Sequence, residues 1–508
     1  MSQHAASGCL PDQQPCGFDR FRLCATTTAT STAICNDFDA NAGKAGVALS
    51  VPPGTWSLSF QGYSTVKANT VVWCGKTAGV KVSKSERTEA KIFISQCSDF
   101  TLSAGSMKSP RAFHTATALA DGRVLIAGGV ASLDTNTSCD LGCQWKDGAF
   151  KNSKGEACVP LCRTSPSLNT AELYDPATGV FSAVLQGMQR VRAFHTATTL
   201  ADGRVLIAGG TEEVSTVMYP GASPSGPYPF LPSKLGSAAV TSQVFDPATG
   251  AFSLVSAGTP TPRAMHAAAL TKSGKVALFG GFTTPETGNN YPMTDMIDLC
   301  TDSVFTPALL AKEKRAMLTA LEMPNQDPNI SIILLWGGNL VPPFTADLFA
   351  EVFQYNGTTP RSDFPANYAK KDAGGLPQFM HTAMLLPDQK RILLAGGMFP
   401  LGFTSDDGET FNAYQPVRDI RIAQLGENPQ IFRPGADEWR KMRYPRAMHT
   451  ASALPNGMYL MAGGFTARDP ACASPVCFVP TPSAEFFMPS LEQFDTIHPA
   501  GLPVDRPV

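Results

Sequence analysis

Charge is scarce in this chain. Asp, Glu, Lys and Arg make up only 16% of its 508 residues, and they nearly cancel, leaving a formal net charge of −2 with histidine neutral. So balanced a composition exerts no general attraction on nucleic acid or anionic lipid, and neither is expected as a partner. No run of eighteen apolar residues occurs, which excludes a helical membrane span. The opening MSQHAASGC lacks the apolar stretch that forms the middle of a secretory signal. A nucleophile elbow, a phosphate loop, a zinc-protease helix motif and a catalytic carboxylate pair are also missing. These absences point to binding rather than catalysis, with no metal and no cofactor expected.

Cysteine, by contrast, is plentiful, and its thirteen residues are grouped. Cys9, Cys16, Cys24 and Cys35 come first, then Cys74 and Cys97, then Cys139, Cys143, Cys158 and Cys162, and last Cys472 and Cys477. Even-numbered groups in loop-like sequence read as disulfides in an oxidising compartment. The expected location is therefore extracytoplasmic: secreted, periplasmic, or an outer-surface lipoprotein. Ala6-Ser7-Gly8 ahead of Cys9 looks like the end of a lipoprotein cleavage box, so Cys9 is a candidate lipid anchor. Cys139 to Cys162 holds two C-x3-C pairs, which read either as two disulfides or as a four-thiolate zinc site. Cys300 stands alone and is expected to be a buried thiol.

With 44 glycines and 41 prolines, the composition suits many short strands joined by turns. Residues 1–40 hold four cysteines, many Thr and Ser, and no periodic pattern. They read as a leader that is partly disordered or tied by disulfides. Residues 41–98 alternate apolar and polar residues in runs such as VALSVPPGTWSLSFQGYS and EAKIFISQC. Period-two alternation marks strands with one buried face, here a small antiparallel β-sandwich-like domain fastened by Cys74 and Cys97. Residues 99–498 form the repeat region, and 499–508 a C-terminal tail.

One phrase dominates that region. It reads RAFHTATALADGRVLIAGG from Arg111, RAFHTATTLADGRVLIAGG from Arg192, RAMHAAALTKSGKVALFGG from Arg263 and RAMHTASALPNGMYLMAGG from Arg446. A looser copy starts at Gln378, and a degenerate one at Arg315 carries Leu318 where the others have histidine. Each phrase is a hairpin: a small Ala/Thr strand, a tight turn such as Asp121-Gly122, and an apolar strand ending in Gly-Gly. A second hairpin follows each insertion, as in AELYDPATGVFSAV from Ala171 and SQVFDPATGAFSLV from Ser242. Two hairpins per unit make four antiparallel strands, the make-up of a propeller blade. Residues 100–103 align with the outer strand of such a unit, so the two chain ends are expected to share one blade and close the ring.

The repeat resembles the Kelch family through six glycine pairs: Gly128 and Gly129, Gly209 and Gly210, Gly280 and Gly281, Gly337 and Gly338, Gly396 and Gly397, Gly463 and Gly464. The turns before Phe181, Phe252 and Trp439 match as well. It also resembles secreted bacterial Kelch-like proteins with an N-terminal β-sandwich module. The resemblance implies an all-β fold, a six-bladed propeller preceded by the small β domain. A residue type that recurs in every unit belongs to the framework or lines the axis. Thus Arg111, Arg192, Arg263, Arg315, Gln378 and Arg446 form either an Arg-lined mouth for an anionic ligand or a set of internal pairs. His114, His195, His266, His381 and His449 read as buried ring members bonded to backbone, and the glycine pairs as structural members of the repeat. The function expected is that of a monomeric binding, adhesion or scaffold protein, engaging a protein or glycan through its long insertions. Some Kelch proteins are copper radical oxidases or carbohydrate-active enzymes, and that is the alternative.

Overall fold

In a computed structural model, the described residues run from Phe18 to Phe487. They leave out 1–17, 488–508 and internal stretches, the longest being 40–46, 65–70, 133–143, 218–229, 235–240, 284–292, 337–349, 364–379, 398–415, 433–441 and 469–477. Cys9, Cys16, Cys97, Cys139, Cys143, Cys158, Cys472, Cys477, Gly337, Gly338 and Gln378 lie outside the described residues, as does the C-terminal tail. Among the described residues every regular element is a strand, and no helix is long and apolar enough to cross a membrane.

Six four-stranded antiparallel sheets account for the repeat region among those residues. The first sheet runs Thr115–Ala118, Val124–Ala127, Ala171–Asp175, Val180–Ala183. The second to fifth follow the same order, starting from Thr196–Thr199, Ala267–Leu270, Thr319–Met323 and Thr382–Leu385. The sixth combines Thr450–Ala453, Tyr459–Ala462 and Ala484–Phe487 with Phe100–Leu102 from the start of the region. Phe487 there pairs with Phe100, so the chain ends do share a sheet, as the alignment of residues 100–103 anticipates. First strands of consecutive sheets lie against one another, and that of the sixth lies against that of the first.

The second strand explains why these sheets stack. In Val124–Ala127 all four side chains are buried, so both faces of the sheet are covered and the strand is continuously apolar. Val124 and Ile126 pack with Leu460 and Phe486 of the sixth sheet, while Leu125 and Ala127 pack with Val205, Ile207 and Phe245 of the second. Every other joint between consecutive sheets has its own apolar cluster. The turns behave as their residues dictate: Gly122 and Gly203 take φ values of 89° and 87°. Gly179 closes the Asp175 turn by donating to its carbonyl at 2.8 Å.

The N-terminal region departs from expectation. Phe18–Thr27 and Thr30–Asp39, placed by the sequence reading in a leader, are strands of a five-stranded sheet with Gly54–Ser64, Val71–Val82 and Ile94–Gln96. The boundary at residue 40 therefore falls inside one unit, and among the described residues that unit is a single sheet rather than a sandwich. Its apolar face carries Phe21, Phe60 and Trp73, with Leu23, Phe38, Val47 and Ile92 against them. Cys24 and Cys35 face each other across the first two strands and form a disulfide. Cys74 is also disulfide-bonded, and it packs in the apolar cluster between the sixth and first sheets. The N-terminal unit thus rests on the joint where the chain ends meet.

Insertions build structure of their own. Leu161–Pro166 from the first pairs with Glu213–Val217 of the second, which pairs with Phe230–Lys234. Gln144–Lys146 with Ala149–Lys151, and Phe465–Arg468 with Phe478–Pro480, make two further hairpins.

Phe486 is fully buried in the closing joint, and Leu185 is fully exposed. Phe486→Ala is expected to cost about 3–5 kcal/mol, and Leu185→Ala less than about 0.5 kcal/mol, in denaturant unfolding followed by tryptophan fluorescence.

Candidate functional site

The repeated phrase gathers its residues at the inner end of each sheet. Ala112 bridges to Val130, and the equivalent bridges are Ala193 to Thr211, Ala264 to Phe282 and Ala447 to Phe465. The third residue of each phrase, which follows an alanine except at Met380, turns left-handed: Phe113, Phe194, Met265, Met317, Met380 and Met448 all have φ between 53° and 60°. Such a conformation costs a bulky side chain on the order of 1–3 kcal/mol, so surrounding bonds must impose it. Backbone bonds supply part of that constraint. Phe194 N–H donates to Phe113 O at 3.0 Å, Met265 to Phe194 at 3.0 Å, Met317 to Met265 at 2.8 Å and Met448 to Met380 at 3.1 Å. The Phe113 ring lies 4.1 Å from that of Phe194 and 5.1 Å from that of Phe465. The result is an apolar collar linking neighbouring sheets.

The arginines run back into their own sheets instead of lining a mouth. Arg111, Arg192, Arg263, Arg315 and Arg446 are at most 1% exposed. Arg111 Nη1 donates to the carbonyls of Gly128 and Thr170, both at 3.0 Å. Its Nη2 donates to Thr170 Oγ1 at 2.9 Å and Glu172 Oε1 at 3.0 Å. Glu172 in turn accepts the backbone N–H of Lys108 and Ser109, which fixes the approach to the first strand. Arg446 repeats the plan with Gly463 O, Ser483 O and Glu485, and Arg263 with Gly280 O, Met296 O and Asp298. Arg315 lies 4.0 Å from Glu351. The Arg-lined mouth is therefore corrected: buried, internally bonded guanidinium groups are closed to a solute. The expected preference for an anionic ligand loses its basis with them.

Arg192 departs from the plan. It donates to Gly209 O at 2.6 Å and Thr241 O at 2.9 Å, but Gln243 stands where four other sheets have Glu172, Asp298, Glu351 or Glu485 and the fifth has Arg421. The Gln243 side-chain oxygen accepts from Gln189 N–H at 2.7 Å, and its amide nitrogen has no partner among the described residues. Burial pushes the Arg192 guanidinium down to about 9, helped by Arg190 and opposed by Glu212.

The histidines stitch sheet to sheet. His195 Nε2 lies 3.0 Å from Thr115 Oγ1, His266 2.8 Å from Thr196, His449 3.0 Å from Thr382 and His114 3.1 Å from Thr450. In each pair the threonine belongs to the preceding sheet, and the sixth sheet precedes the first. Thr450 also donates to Ala462 O at 3.3 Å, so its oxygen is left to accept from His114 Nε2–H. Desolvation, reinforced by Arg111 and Arg446, drives His114 down to about 3. His195 falls to about 3 for the same leading reason, with Arg192 and His114 adding to it. His266 and His449 are likewise held neutral by burial. A buried imidazole this reluctant to protonate suits a framework role, not proton transfer. Bonding is to threonine side chains, joined at His114 by the Ala462 backbone, where backbone alone was expected. At the third-to-fourth joint the pair is instead Ala267 and Leu318, packed in one apolar cluster.

No family model matches the chain, and no curated protein matches it. Among solved structures, one titled "Structure of YjhT" is similar with a TM-score of 0.46 and 13% identity, over 75% of this chain and 95% of that one.

Gly-Gly completes the arrangement. Gly463 has φ of 65°, and a Cβ on it would sit 2.7 Å from Arg111 O and 2.5 Å from His114 Cε1. The second glycine of each described pair then reaches across the joint through its backbone. Gly129 N–H donates to Arg192 O at 2.8 Å, Gly210 to Arg263 O at 2.9 Å and Gly281 to Arg315 O at 2.7 Å. Gly397 donates to Arg446 O at 2.6 Å, and Gly464 closes the series on Arg111 O at 2.8 Å. In every case the acceptor is the arginine carbonyl of the following sheet, with the first following the sixth. The pairs are therefore structural, as expected from the repeat, but their role is to join sheets and not only to relieve crowding.

Among the described residues no group of three His, Cys, Asp or Glu is placed to hold a metal ion. Cys300 is a buried thiol outside any disulfide. Two signals in the sequence carry this plan: the acid near the start of four of the six third strands (Glu172, Asp298, Glu351 and Glu485), and the Thr or Ala that follows each His or Leu.

Glu485→Gln removes the charge facing a buried guanidinium and is expected to cost about 3–5 kcal/mol. Gln243→Glu gives Arg192 the carboxylate that four other sheets place there and is expected to add about 1.5–3 kcal/mol. Paired urea unfolding curves at pH 7 check both signs.

Proposed function

We propose that the six sheets are the blades of a Kelch-type β-propeller, and that the protein is an extracytoplasmic binding scaffold. The six joints, running back from the sixth sheet to the first, support the propeller reading. Its partner, a protein or a glycan, is engaged by the insertions that follow each Gly-Gly. One observation carries this reading. The five recurring arginines, with His114, His195, His266 and His449, are buried and bonded to carbonyls, carboxylates and threonines of the sheets themselves, so they offer nothing to a ligand. What differs from sheet to sheet is the insertions, and those of the first two sheets join in one small sheet through Leu161–Pro166 and Glu213–Val217. Non-repeated loops on a rigid frame are where recognition commonly resides. The Cys24–Cys35 disulfide and the half-cystine at Cys74 support an oxidising location.

Replacing residues 213–234 by a short turn, with retained thermal unfolding, is expected to abolish hits on glycan and secreted-protein arrays. Asp202→Asn with Arg204→Gln alters an exposed ion pair at the opposite, tight-turn ends of the strands and is expected to leave the hits intact. Hits lost with the second variant and kept by the first would overturn the proposal.

A further inference from the structure

We infer that the seam histidines form a concerted acid-opened joint, in which protonation separates neighbouring sheets at every His–Thr pair while the Ala267–Leu318 joint stays closed. The inference rests on geometry at four equivalent places. His114, His195, His266 and His449 are each at most 6% exposed and contribute Nε2 to a threonine of the preceding sheet. Their Nδ1 atoms have no partner among the described residues. With the resting proton on Nε2, as the Thr450 bond to Ala462 O requires of His114, a proton added at Nδ1 creates a buried cation whose new N–H meets no acceptor, a state that burial strongly disfavours.

The surroundings offer little relief: the Ala462 backbone raises the proton affinity of His114, and burial outweighs it. The charged or titratable groups acting on His114 are Arg111 of its own phrase and Arg446 of the preceding sheet. On His195 they are Arg192 and His114, and on His266 they are Arg263, Arg192 and His195. His449 faces Arg446, His114 and His381. Every one of these is cationic or becomes so on protonation. His114, His195 and His381 each lower a neighbour's proton affinity, so two charged imidazoles in adjoining closed joints repel and both favour opening. The third-to-fourth joint is a natural control, because Leu318 and Ala267 cannot titrate.

The sign follows directly. A base that resists protonation when folded binds fewer protons than in the opened chain, so stability rises with pH and is lost on acidification. The loss begins near the ordinary histidine range of about 6.5, and by pH 4.5 each histidine is expected to favour opening ~100-fold relative to neutral pH.

The test is the pH dependence of unfolding of the full chain between pH 7 and 4.5, which reads the number of protons taken up. Thr115→Ala/His195→Leu and Thr382→Ala/His449→Leu convert two joints to the Ala–Leu kind. Each is expected to lower proton uptake by one. Ala267→Thr/Leu318→His makes the reverse conversion and is expected to raise it by one. Carboxylates contribute equally in all four proteins, so only the differences count. Identical proton uptake in every folded variant, or no loss of native stability between pH 6.5 and 4.5, would overturn the inference. Should one converted variant fail to fold, the other and the reverse conversion still decide.

Discussion

Neighbouring sheets meet where a histidine of one reaches a threonine of the one before it, over a glycine pair too close to carry side chains. Most of the repeat region depends on that contact. The glycines let the next sheet's arginine carbonyl and imidazole press in, and the second glycine's N–H is satisfied by that same carbonyl. The left-handed residue aims the histidine, or Leu318 in the fourth sheet, at the joint, which is why six bulky side chains tolerate a strained backbone. Loss of any member leaves a buried polar group unmatched, so the members stand or fall together.

Within a sheet, the arginine does comparable work along a different direction. It ties the segment entering the first strand to the ends of the second and third, using a carboxylate on the third as counter-charge. A buried ion pair contributes little net stability against an apolar alternative, but a broken one is costly, which favours one docking geometry over others. Near-identical sheets need such specificity. The change of pair to Ala267 and Leu318 fits this reading, since a fourth sheet docked elsewhere would leave an imidazole or a threonine hydroxyl without its partner.

The joint between the sixth and first sheets and the N-terminal unit meet at one place. The sixth sheet takes its outer strand from residues 100–102, and Cys74 and Val71 of the N-terminal sheet pack against the same joint. Phe100–Leu102 pairs along the outer side of Ala484–Phe487, and the disulfide-bonded unit covers the apolar seam beside it. The segment before residue 40 belongs to this unit because Phe21, Leu23 and Ala25 alternate with Arg20, Arg22 and Cys24. That short pattern is masked in sequence by the Thr-rich stretch beside it.

Local chemistry sufficed for much of the architecture. Asp-Gly turns, small first strands, apolar second strands and the in-phase phrase specify four-stranded units, because turn conformation and period-two burial are properties of neighbours in the chain. The stray outer strand at Phe100 was legible for the same reason, since it aligns with its counterparts. Whether an arginine faces solvent or a carboxylate sixty residues away is not a local property. Glu172 becomes the partner of Arg111 only once the third strand pairs with the second, and Thr450 meets His114 only when the last sheet packs on the first. Tertiary packing alone therefore turned a suspected binding ring into the framework, because burial and long-range pairing are decided by which surfaces meet.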